Sequence, residues 1–117
     1  MSKPVITILK DSSMFDAVKL MDKHNIGCIA VVEKERPIGI LTERDIIRRV
    51  VAKEKNLKQT KVADIMTKNP VTVNSEASIL EVTRIMSENN FRRVLVVKND
   101  KLVGLVTAKD IIGLTST

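Results

Sequence analysis

The sequence has one cysteine, one histidine, two phenylalanines, and neither tryptophan nor tyrosine, and each shortage removes a class of function. Cys28 alone cannot close an internal disulfide, so the chain suits a reducing compartment and is held together by packing. His24 and Cys28 supply no zinc-type cluster, and no metal site is expected. Phe15 and Phe91 offer little stacking surface for bases, which disfavours single-stranded nucleic-acid binding. Four glycines and three prolines in 117 residues exclude low-complexity and disordered classes. No apolar run approaches the ~18 residues of a membrane span. Met1-Ser2-Lys3-Pro4 leads straight into a strand-like segment without an apolar signal core, so a cytoplasmic location is expected. Candidates for catalysis are as few. His24 reads as a helix-end histidine, and its counterpart in the repeat described below is Asn89. Cys28 reads as a small apolar strand residue with no activating neighbour. The carboxylates are scattered among basic residues. No enzyme, and no catalytic residue, is expected.

The dominant positive feature is an internal repeat. With an offset of 65 positions and no gap, residues 5–52 match residues 70–117 with eleven identities in 48 pairs. Thr7 falls on Thr72, Ser13 on Ser78, Met21 on Met86, Gly39 on Gly104, Thr42 on Thr107 and Asp45 on Asp110. A period this long marks two copies of one supersecondary unit, and the seam between such copies is where ligands tend to sit. Net charge is +6, and half of that surplus lies in the connector 53–69, which holds 5 basic and 2 acidic residues. The connector favours anionic partners, or is simply a solvated face.

Each copy reads as β-α-β-β-α. Val5–Leu9 and Val71–Val73 are short β-prone runs. Ser13 and Ser78 stand three residues before Asp16 and Glu81, the capping-box spacing. Helical periodicity follows through Met14, Ala17, Val18 and Met21, and through Ile79, Val82, Thr83 and Met86, with stops near Asn25 and Asn90. Strands are expected at Cys28–Val32 and Pro37–Leu41 around a four-residue turn, 33–36, and at Val94–Val97 and Leu102–Val106 around 98–101. A last helix begins at Thr42 and at Thr107. In the connector, Val62–Thr67 has one apolar side that would hook the second copy on.

The recurring chemistry is Gly39-Ile40-Leu41-Thr42-Glu43-Arg44-Asp45 and Gly104-Leu105-Val106-Thr107-Ala108-Lys109-Asp110. Two readings fit it. Thr-x-x-Asp is itself a capping box that does no more than start a helix. Alternatively, the helix start is an anion site, with Thr donating to phosphate, Asp accepting ribose hydroxyls, and Arg44 or Lys109 adding charge-assisted contacts. The preceding glycine would leave room for a flat base.

These segments, together with Asp64-Ile65-Met66-Thr67…Pro70-Val71-Thr72-Val73 and Phe91-Arg92-Arg93-Val94-Leu95-Val96-Val97, resemble a tandem pair of cystathionine-β-synthase (CBS) domains, the Bateman module, over essentially the whole chain. The resemblance implies an α+β, sandwich-like module of two repeats related by a pseudo-twofold axis. Residues 1–57 would form the first repeat with the start of the connector, and 58–117 the connector end and the second repeat. Two clefts between the repeats would bind AMP, ADP, ATP or S-adenosylmethionine as a regulatory ligand, with or without Mg²⁺, and no cofactor is required. Carried over by position, one cleft combines Thr107, Lys109, Asp110, Arg92 and Arg93 with Ile6, Gly27 and Cys28. The other combines Thr42, Arg44 and Asp45 with Met66, Val71, Arg92 and Arg93. Gly27-Cys28 stands where the second copy has Arg92-Arg93, so the clefts should differ in phosphate affinity.

The leading expectation is an adenine-nucleotide or energy sensor that signals to an unidentified regulated protein. A scaffold or dimerisation module without ligand comes second, and nucleic-acid binding through the basic connector third. Leu20, Ile47, Ile85 and Ile112 exceed what one small core needs, so a homodimer is expected.

Overall fold

Short caps and a polar hairpin turn organise the first half of the chain. The computed structural model describes residues 5–89 and 93–108. The chain divides into two compact units, Ile6–Pro70 and a second built on the chain from Val71 onward. In the first, β1 (Thr7–Leu9) leads to α1 (Met14–His24), β2 (Cys28–Glu33) and β3 (Arg36–Thr42). Next come one α-turn, α2 (Glu43–Ile46), which runs into a π-helical turn at Ile47–Val51, then α3 (Val62–Ile65) and β4 (Thr67–Lys68). Ser13 Oγ accepts from the Asp16 amide at 3.1 Å, which satisfies one of the orphan donors at the start of α1. Asn25 ends the helix in the left-handed conformation at φ 52°, a role asparagine fills with little strain.

The sheet order is β1-β2-β3-β4, with β1 parallel to β2 and the other neighbours antiparallel. Met14, Ala17 and Met21, on one face of α1, pack against Ile29, Val31 and Leu41 of the sheet. Burying each large side chain stabilises the unit by about 1.5–3 kcal/mol. The connector completes this core. Val62, Ile65 and Met66 are all buried in it, and Leu57 packs on its edge. The expected apolar side of Val62–Thr67 is thus buried in the first core. The apolar side of α3 covers the first core, and β4 extends the first sheet through Gly39↔Lys68 and Ile40↔Thr67.

The second unit repeats this plan in β5 (Thr72–Asn74), α4 (Ile79–Asn89), β6 (Arg93–Lys98) and β7 (Lys101–Thr107). Its sheet is β5-β6-β7. Register carries over: Thr7↔Ala30 corresponds to Thr72↔Leu95, and Cys28↔Thr42 to Arg93↔Thr107. Both hairpins shift register within a Val-Val pair, Val31/Val32 and Val96/Val97. Ser78 Oγ caps α4 through the Glu81 amide at 3.1 Å, and Val73, Val82, Met86, Val94 and Val96 form the core. The turns are tighter than the expected four residues. Only Lys34-Glu35 and Asn99-Asp100 lie between the strands, all four with positive φ. That is the two-residue geometry whose twist matches the flanking strands. The expected helix stop at Asn90 and the last helix beyond Ala108 lie outside the described residues, as does Ile112. Leu20 and Ile85 are half-buried against their cores, whereas Ile47 is 59% exposed.

Candidate functional site

Asp45 is the one buried charged or polar side chain among the described residues, and a buried carboxylate is tolerable only when donors surround it. Thr42 is the N-cap of α2 and forms a complete capping box with it. Thr42 Oγ1 accepts from the Asp45 amide at 3.2 Å, and Asp45 Oδ2 accepts from the Thr42 amide at 3.0 Å and from its hydroxyl at 3.1 Å. From the connector, the Thr67 hydroxyl donates to Asp45 Oδ1 at 3.2 Å. Arg49, one turn along the helix, brings Nε to 3.9 Å of Oδ1 and donates from Nη1 to the carbonyls of Ile65 and Met66 at 2.9 and 3.3 Å. The carboxylate thus joins the end of β3, the start of α2 and the connector. Bonds of this kind to a charged acceptor contribute about 1.5–3 kcal/mol each.

Gly39 permits that junction. A Cβ there would stand 2.6 Å from Met66 Sδ and 3.0 Å from the Thr67 carbonyl. The space under this glycine, expected to admit a flat base, is filled in the first unit by the connector's own Met66 and Thr67.

Of the residues expected at the site, the first unit brings Gly27, Cys28, Thr42, Arg44, Asp45 and Met66 to one end of its sheet. Cys28 pairs with Thr42 across the strands. The Gly27 carbonyl accepts from the Glu43 amide at 3.0 Å, and a Cβ on Gly27 would stand 3.1 Å from Glu43 Oε1. Cys28 and Met66 are buried, and Arg44 is exposed. Ile6 is half-buried against the first core, its carbonyl accepting from Ala30. In the second unit Arg93 and Thr107 face each other across β6 and β7, both half-buried, and Val71 packs on the core. Arg92, Lys109 and Asp110 lie outside the described residues. Arg49 and Thr67 were missed. Arg49 had a signal, since a base four residues after an acid on a helix is placed to pair with it. No group of three potential metal ligands occurs among the described residues, and no helix of the described chain is long and apolar enough to cross a membrane.

The CBS-domain family pattern matches residues 1–52 and 62–116. The mitochondrial CBS domain-containing protein CBSX3 of Arabidopsis thaliana is 36% identical over 107 residues, which cover 87% of this chain and 52% of that protein. CBS domain-containing protein YhcV of Bacillus subtilis is 33% identical over 111 residues, 95% of this chain and 79% of its own. The chain thus spans about half the length of the plant relative and most of the bacterial one. Among solved structures, a protein with CBS domains from Burkholderia ambifaria superposes with a TM-score of 0.85 at 34% identity, covering 97% of this chain and 88% of that one.

Proposed function

This chain belongs to the CBS-domain family as a tandem pair, and we propose that it is a regulatory module whose ligand is an adenosine-containing molecule: AMP, ADP, ATP or S-adenosylmethionine. The observation that carries this reading is Asp45. Its buried carboxylate already receives two alcohol hydroxyls, from Thr42 and Thr67, and a ribose diol presents the same donors in a fixed pair. In this reading ribose takes the place of Thr67, whose residue is exposed, while Thr42 keeps the cap. Asp110 plays the same part in the second repeat, with Lys109, Arg92 and Arg93 on phosphate and Gly27-Cys28 or Met66 and Val71 beside the base. Arginine is the side chain of choice for phosphate because its planar donors stay charged. The α-helical part of α2 is a single turn, so its dipole adds little, and arginines must supply most of the phosphate affinity. The regulated protein is unidentified, and binding matters to it only if the ligand favours one of two states of the module.

Calorimetry with AMP and adenosine on the wild type and on Asp45→Asn tests the reading. The variant should lose affinity for both ligands alike, since both carry the ribose. Unchanged affinity for both would remove Asp45 from the site.

One observation favours a second reading, a ligand-free scaffold. Among the described residues every buried side-chain N or O already has a partner, so the Asp45 network needs no ligand to complete it. A thermal-shift panel of the four ligands, with and without Mg²⁺, separates the two, because a molecule that binds only the native state raises Tm. No shift at millimolar ligand leaves the scaffold. Either reading is compatible with a homodimer. A groove of about 370 Å³, lined by Val18, Met21, Ile26, Ile46 and Ile47 but also by Asp22 and Glu43, offers a second copy a face of mixed apolar and charged character. Sedimentation giving only 13.0 kDa at tens of micromolar would exclude the dimer.

A further inference from the structure

The first strand of each unit is the outermost of its sheet, β1 beside β2 and β5 beside β6. The Ala30 amide donates to the Ile6 carbonyl at 3.4 Å, so Ile6 and Ile8 turn their backbone groups to β2 in this parallel ladder. Thr7 and Leu9 therefore turn theirs outward, and both residues are exposed, Leu9 by 61%. The Leu9 carbonyl accepts from the Ser12 amide at 3.1 Å. That leaves the Thr7 amide and carbonyl and the Leu9 amide to the edge. The second unit repeats this arrangement. The Leu95 amide donates to the Val71 carbonyl at 3.1 Å, the Asn74 carbonyl accepts from the Ala77 amide at 2.9 Å, and Thr72 and Asn74 face outward. Neither opening depends on how the chain begins. The residues that precede β5 pair with β3 and not with the open edge. The connector bonds to the amides of Met14 and Phe15 at the start of α1 and leaves the space beside β1 unfilled.

That space is a groove of about 510 Å³ between β1 and α1. Ile8 and half-buried Leu20 give it an apolar floor, with Ser12 at one end. Its rim carries Asp16, Lys19, Asp22 and Lys23 in order along α1. Lys19 stands 5.5 Å over the Phe15 ring, and its charge and that of Asp22 cancel in sum. Asp16 and Lys23 are exposed, and neither joins an ion pair among the described residues. Asp16, Leu20 and Lys23 follow one another at one helical turn, roughly 4.5–6 Å along the axis. Alternate residues of a strand share a face at roughly 6.5 Å, so an added strand sets one side chain against each of the three. We infer that the β1 edge binds an extended segment of a partner protein as an extra strand, with basic, apolar and acidic side chains at alternate positions. The segment runs antiparallel to β1, because Thr7 offers donor and acceptor together, as the hydrogen-bonded pair of that ladder requires. Its basic residue comes first, since α1 starts at the Leu9 end of β1 and Asp16 lies there. Lys10, at the same end, is already neutralised by Glu33 at 3.1 Å. Main-chain bonds supply affinity and the groove supplies selection. The equivalent groove beside β5 keeps the floor in Val73 and Ile85 but carries Glu76 and Glu81 with no base among its described lining, so it matches only the basic end. The inference is independent of the nucleotide reading.

The test titrates the full chain, labelled for amide NMR, with the synthetic peptide Thr-Lys-Thr-Val-Thr-Glu-Thr. Saturable shifts are expected at Thr7, Leu9 and Leu20, with binding about threefold weaker at Thr72 and Asn74, the worth of a surface ion pair. Thr7→Pro removes a donor that β2 does not use, a position where an edge strand tolerates proline. It should weaken binding about tenfold, as for one or two lost backbone bonds. A peptide with its lysine and glutamate exchanged should also bind about tenfold more weakly at low salt and less so at high salt. Asp16→Lys with Lys23→Glu, both at exposed positions, should reverse that preference and so tests the groove apart from the edge. A preference that survives this double reversal would overturn the inference. So would full affinity in Thr7→Pro, tighter binding at Thr72 and Asn74 than at Thr7, or absence of saturation at several millimolar peptide. A concentration-dependent mass of the free chain that Thr7→Pro abolishes would assign the edge to a second copy and overturn it equally.

Discussion

In both units the first strand runs parallel to the second in the same register, and both hairpins shift at the second valine of a Val-Val pair. At the helix starts the units part: Met14 is fully buried under the connector, and its counterpart Ile79 is half-exposed. The hairpin tips differ too. Both bend through two residues of positive φ, but one uses Lys34-Glu35 and the other Asn99-Asp100. Pattern and register are thus properties of the repeat. Burial at its edges is a property of what lies alongside, and the connector lies along the first unit.

The sharpest way to break this comparison is at the paired helix starts. Met14→Ala should destabilise the first unit by about 2–5 kcal/mol, the cost of a cavity in a packed core. Ile79→Ala should cost about 1 kcal/mol or less, as exposed substitutions do. Urea unfolding of both variants checks it, and equal losses would mean that the connector's cover contributes nothing.

Next in size is Gly39→Ala. The added methyl meets Met66, which can move, and the Thr67 carbonyl at 3.0 Å, which is backbone. We expect a loss of about 1–3 kcal/mol, typical of overpacking. Full stability in this variant would show that β4 can shift away from β3 freely.

Asp45 and Thr67 sharpen the comparison on the functional side. If ribose replaces the Thr67 hydroxyl, Asp45→Asn should weaken nucleotide binding by about 1.5–3 kcal/mol, whereas Thr67→Val should lower stability by about 1 kcal/mol and leave affinity intact or improved. Calorimetry and thermal melts on the two variants decide it. Parallel losses of affinity in both would make Thr67 part of the ligand's grip and not its stand-in.

The smallest effect belongs to the hairpin tips. Replacing Lys34-Glu35 by Asn-Gly should raise stability by about 0.5–1 kcal/mol, since left-handed backbone costs roughly 1 kcal/mol or more for an ordinary side chain and little for Asn or Gly. Placing Lys-Glu at 99–100 should lower it by a similar amount. Denaturant midpoints measure both, and a shift of the wrong sign in either would refute the account of the turns.

Much of this was legible in the residues. The serines three positions before Asp16 and Glu81 announced their helix caps, because that hydrogen bond is local and its spacing is dictated by helix geometry. The capping reading of Thr42 and Asp45 was legible for the same reason. The turn was less so, because Lys34 and Glu35 have no preference for positive φ and only their alignment with Asn99-Asp100 hints at it. Thr67 could not be read at all as a partner of Asp45. It lies 22 residues away, and nothing in its own neighbourhood says which carboxylate its hydroxyl will meet.

The amino-acid order by itself determined the repeat, the alternation of strands and helices, their caps and the candidate motif, since these rest on periodicity and on bonds that span three or four residues. Only the tertiary structure decided that the connector serves the first unit, that Gly39 yields its space to Met66 and Thr67, and that Asp45 is buried. Val62, Ile65 and Met66 form an apolar stripe that would suit either repeat's core. Which core it covers depends on the free energy of whole surfaces packing together, and no short window of sequence contains that.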